Sequence, residues 1–171
     1  MKIKMMTKEI ERCLEKHPIY SQAGLMGDAK VIAKFFDPCS QWTWYVTEGQ
    51  RMDGGDWEFF GLVCGYEWEW GYFLLSQIEG AHSTSAVQTP HGVHAFQLPL
   101  ERDIHVQPGR KTVSEMVYED GCGHLCPAHL LIREEPEVIE VLQVCQPEAA
   151  PEPVSVGWTR APGVVGQQTL F

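Results

Sequence analysis

Between Val31 and Leu75 the apolar residues recur at the spacing of strands rather than helices. In Trp42–Thr47, Trp42, Trp44 and Val46 alternate with Thr43, Tyr45 and Thr47, the period of two that sends successive side chains to opposite faces. Val31–Phe36, Trp57–Cys64 and Trp70–Leu75 read as three further strands, separated by the turn Asp37–Ser40, the polar stretch Gly49–Asp56 and the segment Gly65–Glu69. Such short connections favour antiparallel neighbours. Ahead of them Ile10, Cys13, Leu14 and His17 share one helical face, Thr7 stands where a cap is needed and Pro18 ends the run. The predicted fold is α+β: a short N-terminal helix packed on an antiparallel β-meander, with a small C-terminal extension.

The pattern weakens beyond the fourth strand. Ser76–His94 is read as less regular, and Leu98–Ile104 as a short extended segment. Pro108-Gly109 marks a boundary. Val113–Tyr118 fits either helix or strand, and the valines of Glu137–Cys145 favour strand. Residues 147–166 are rich in proline and glycine and suit an extended arm. The expected organisation is therefore a core domain at 1–106, an acidic Cys/His-containing extension at 107–146, a linker at 147–166 and a terminal peptide at 167–171.

Composition adds limits. With 171 residues and 44% hydrophobic content the chain can bury a core. It has no apolar run long enough for a membrane helix, and its charged start, Met1–Lys4, lacks a signal-like apolar region. A cytoplasmic setting is expected, with the six cysteines reduced or bound to metal rather than forming a disulfide framework. Net charge is −10, of which residues 112–171 contribute −7, from 2 Lys/Arg and 9 Asp/Glu. Direct binding to nucleic acid is not expected without a basic patch. An acidic surface that imitates DNA toward a basic partner is an alternative.

The terminal peptide Gln167-Gln168-Thr169-Leu170-Phe171 resembles the short motif by which bacterial DNA-processing proteins grip the replication sliding clamp, usually Gln-Leu-Ser/Asp-Leu-Phe. The resemblance implies that Gln167 and Thr169 make polar contacts while Leu170 and Phe171 fill an apolar pocket. Gln168 departs from the usual Leu, which implies weaker binding. An apolar pair at the tip of an arm has little of its own to bury against.

Five central segments resemble the domain-of-unknown-function family 2958. They are KVIAKFFDP (Lys30–Pro38), WTWYV (Trp42–Val46), FGLV (Phe60–Val63), EWGYF (Glu69–Phe73) and LPLERD (Leu98–Asp103). The resemblance covers roughly Ile3 to Val106. It implies a bacterial protein of a plasmid, phage or other mobile element, and it carries no catalytic residue with it.

Four groups of residues invite chemistry. Cys122, His124, Cys126 and His129 lie within eight residues, and thiolates with imidazoles suit a structural zinc. Their spacing is tighter than that of usual zinc knuckles, so two or three of them with distant Cys145 form an easier site. His82, His91, His94 and His105, with Glu101 and Asp103, are candidates for metal binding or acid–base work. Glu101, Arg102 and Asp103 read as an ion-paired edge in which Arg102 meets a carboxylate. Aromatic residues from Trp42 to Phe73 divide between core and surface, and their acidic neighbours favour a protein partner over single-stranded nucleic acid.

No phosphate-binding loop, dinucleotide fingerprint or nucleophile elbow is present. The reading that follows is a non-enzymatic accessory protein of a bacterial mobile element or phage. Its body would bind an unidentified protein and its tail the sliding clamp. The alternatives are an acidic, DNA-mimicking anti-defence inhibitor and a metal-dependent enzyme using the histidine or Cys/His cluster.

Overall fold

A computed structural model describes residues 3–133 of the chain. The expected strand at Glu137–Cys145, the linker and the terminal peptide lie outside the described residues. The fold is the predicted α+β meander. Helix α1 (Lys8–Leu14) begins at Thr7, whose hydroxyl accepts the Ile10 N–H at 3.3 Å. It buries Ile10 and Leu14 and leaves its charged residues outside.

Strands β1 (Ala33–Phe36), β2 (Thr43–Arg51), β3 (Trp57–Cys64) and β4 (Trp68–Leu74) follow. A short helix α2 (Leu75–Gly80) leads to a hairpin of β5 (His82–Thr89) and β6 (Gly92–Pro99), then to β7 (Glu101–Arg102) and α3 (Val113–Glu119). The main sheet has the order β4-β3-β2-β1-β7, with every pair antiparallel. The hairpin forms a separate two-stranded ribbon.

Strand alternation divides the aromatic-rich sequence between two faces. On one side Ile32, Phe35, Val46, Phe59 and Phe73 pack under α1 and α2. On the other Val31, Tyr45 and Leu62 pack under α3 through Val113, Met116 and Val117. Past Pro108-Gly109 the chain thus stays on the same sheet. Gly109 N–H donates to Val31 O, and Thr112 caps α3 by accepting Glu115 N–H while the Glu115 carboxylate accepts Thr112 N–H.

Strand β2 runs beyond its expected end at Thr47, because a bulge between Val46 and Glu48 resets the alternation. Gly61 sits opposite Val46, where a Cβ would fall 2.0 Å from Tyr45 O, so only glycine fits the closest approach of β2 and β3. The bulge places Glu48 inside the protein on the α3 side.

The ribbon replaces the irregular segment expected at Ser76–His94. Its turn, Pro90-His91, is closed by Gly92 at φ 124°, a conformation that favours glycine. From Ala81 to Leu100 the sequence contains no Asp, Glu, Lys or Arg. Val87, Val93 and Phe96 are exposed along it. Among the described residues no helix is long and apolar enough to cross a membrane.

Candidate functional site

The densest polar constellation lies where β1, β2, the segment after β7 and the end of α3 meet. Lys34 alternates with Ala33 and Phe35 along β1, so its side chain leaves the strand on the α3 face, opposite theirs. Its residue is only 8% exposed. The ammonium lies 2.7 Å from Asp120 Oδ1 and 3.3 Å from Asp103 Oδ2. Tyr45, paired with Lys34 across the strands, donates its hydroxyl to Asp120 Oδ2 at 2.6 Å.

This arrangement joins three of the five central segments to a residue outside them. Lys34 belongs to KVIAKFFDP, Tyr45 to WTWYV and Asp103 to LPLERD, while Asp120 lies beyond all five. The geometry fixes the ammonium between two carboxylates. Burial, the hydrogen bond to Asp120 and that residue's charge push the Tyr45 phenol far above its ordinary range. Tyr45 is therefore a hydrogen-bond donor at neutral pH, and the network resembles a clasp more than a reactive centre.

Beside the clasp is a polar hollow of about 480 Å³, bordered by Asp103, His105, Arg110, Lys111 and Asp120. Lys111 pairs with Glu119 across its exposed rim. Such a hollow offers both signs of charge to a polar ligand. Arg102 takes no part: its Nε donates to Lys4 O at 3.0 Å. The expected ion-paired edge is thus corrected. Asp103 pairs with Lys34, because Arg102 points to the N-terminal segment on the other side of β7.

The expected zinc ligands lie after α3. Cys126 is buried, Cys122 is partly buried, and His124 and His129 are exposed. Burial, with the nearby thiols of Cys64 and Cys122, pushes the Cys126 thiol up to about 11. Cys64, at the end of β3, is thus the neighbour that sequence spacing did not suggest. Among the described residues no three His, Cys, Asp or Glu side chains are grouped to hold a metal. Cys145 lies outside them.

The histidines are dispersed. His82 opens β5, His91 lies in the ribbon turn, His94 is on β6 and His105 borders the polar hollow. All four are exposed. Glu101 lies on β7. Gln167, Thr169, Leu170 and Phe171 lie outside the described residues. Lys34 and Asp120 were absent from the sequence-based candidates, and Tyr45 stood there only as one of the aromatic residues. A lysine flanked by apolar residues in a strand was the one signal available.

No protein-family model, curated protein or solved structure matches the chain.

Proposed function

We propose that this is a non-enzymatic accessory protein of a bacterial mobile element or phage, which docks on the DNA sliding clamp through Gln167–Phe171 and binds another protein through its folded body. The observation that carries the reading is the terminal pentapeptide itself, with Leu170 and Phe171 as apolar anchors and Gln167 and Thr169 as polar contacts. The five family-like segments support the mobile-element setting by resemblance alone. The exposed, uncharged ribbon supports a protein-binding body, since an isolated two-stranded hairpin gains stability when something covers it.

In this reading the tail raises the concentration of the body at replicating DNA. A short peptide that must be ordered on binding gives modest affinity. The test is binding of the full chain to an immobilised bacterial sliding clamp, beside a version ending at Gly166 and the double variant Leu170→Ala, Phe171→Ala. The expected result is saturable binding that both changes weaken by at least about tenfold. Equal binding by all three proteins, or none by the full chain, would overturn the clamp role.

A further inference from the structure

A second hollow, of about 300 Å³, lies on the α3 side of the sheet, around the bulge in β2. It is lined by Glu48, by the aromatic residues Phe60, Trp70, Tyr72 and Tyr20, and by the loop that carries Gln22 and Met26. Phe60 stacks on Trp70 at 5.7 Å and meets Tyr72 at 4.8 Å between ring centroids. Trp70 is fixed by donating Nε1–H to Leu130 O at 3.0 Å. Tyr20 and Tyr72 stand exposed at the rim.

Glu48 is 2% exposed, yet among the described residues no Lys, Arg or His lies within ion-pair distance of it. Its carboxylate instead accepts the backbone N–H groups of Tyr20, at 2.8 Å, and Gln22. To deliver them, Tyr20 adopts φ 73°, and Met26, on the far side of the same loop, adopts φ 49°. Both are non-glycine residues in the left-handed region, where backbone strain is usual. Gln22 then locks the loop. Its amide donates to Thr47 O at 2.6 Å and Lys30 O at 3.1 Å, and accepts Lys30 N–H at 2.6 Å.

Two consequences follow for a ligand. First, a buried negative charge beneath electron-rich ring faces favours a cation. Second, much of the acceptor capacity of the hollow is already engaged, and the Tyr20 and Tyr72 hydroxyls sit at its exposed rim. Gln22 and Glu48 are used as described, and Thr47 donates to Phe60 O at 3.1 Å. A lysine ammonium or a guanidinium brings three to five N–H donors, more than the remaining lone pairs of Glu48 can meet within the hollow, and those left desolvated are costly. A cation without N–H donors loses nothing of this kind.

We propose that the hollow formed by Tyr20, Glu48, Phe60, Trp70 and Tyr72 binds a quaternary ammonium head group. The aromatic faces contact its methyl groups, and the Glu48 charge selects it over uncharged groups of the same shape. The head group can belong to a free small molecule or to a trimethylated lysine, and the chemistry at the hollow is the same for both.

The test is titration of the full chain with choline and with its uncharged carbon isostere, dimethylbutanol, followed by the indole signals in two-dimensional NMR. Choline is expected to saturate in the millimolar range, with the isostere at least about tenfold weaker. Glu48→Gln should reduce choline affinity several-fold and leave the isostere unchanged. If that variant unfolds, Tyr72→Leu and Tyr20→Leu, at exposed positions, serve instead and should each weaken choline about fivefold. A peptide with trimethyl-lysine, compared with the same peptide unmethylated, distinguishes the sources. Tighter binding than choline assigns the head group to a protein, and weaker binding assigns it to a free molecule. Equal affinity for choline and the isostere would sink the proposal. So would failure of choline to saturate, or indifference of choline binding to the rim variants.

Discussion

Lys34 and Glu48 are both buried charges on the α3 side of one sheet, and they are satisfied in opposite ways. Lys34 is met by side chains of opposite charge from distant parts of the chain, Asp103 and Asp120. Glu48 is met by the backbone N–H groups of Tyr20 and Gln22. The first arrangement sets two partly exposed carboxylates against the lysine's one charge and fastens α3 and the segment after β7 to the sheet. The second shapes a loop and leaves a net negative charge inside. Burial alone therefore does not identify a functional group; what matters is whether the charge is cancelled.

The largest effect should come from Glu48→Ala, which leaves two backbone donors without an acceptor. Urea unfolding should show a loss of about 3 kcal/mol. Retention of full stability would show that water replaces the carboxylate, and the loop would no longer count as built around it. Lys34→Ala should cost less, about 2 kcal/mol, because both carboxylates are partly exposed and can rehydrate. Lys34→Met should recover part of that loss by packing over Tyr45. If Lys34→Ala proves costlier than Glu48→Ala, the contrast between the two charges is reversed.

Tyr45→Phe sharpens the comparison by removing only the hydroxyl that supports Asp120. A loss of about 1 kcal/mol is expected at neutral pH. Its pH dependence carries a sign. The phenol is raised above its ordinary 10.0 in the folded protein, so its contribution is intact below pH 10. Above that pH the unfolded chain releases the proton while the folded chain holds it, and stability falls. Tyr45→Phe should lack this fall, so the two unfolding curves should approach one another as pH rises past 10. Parallel curves would show that the hydroxyl ionises freely in the fold.

The meander was legible because its alternation is written in large residues. Trp57–Cys64 is a strand at the limits expected, and Thr7 caps the first helix as its type suggested. The ribbon was not legible, for a physical reason. Neither of its faces lies against the main core, so its sequence has no need of apolar alternation and shows serine, threonine and histidine instead. The end of β2 was hidden by the bulge, which shifts the period by one residue and turns Glu48 inward. Of the clasp, Lys34 and Asp103 stood in quoted segments, but Asp120 lies 86 residues from Lys34, and only folding brings it there.

The separation of the clasp residues also orders the folding of the chain. Strands β2, β3 and β4 are joined by short turns and can pair at little entropic cost. The pairing of Phe36 with Glu101 and the contact of Lys34 with Asp120 must each close a much longer excursion. Until then the Lys34 ammonium has no carboxylate to meet and keeps its water. The half-formed sheet consequently presents a hydrated cation on the face that α3 will cover, and this discourages premature burial of that face by another chain.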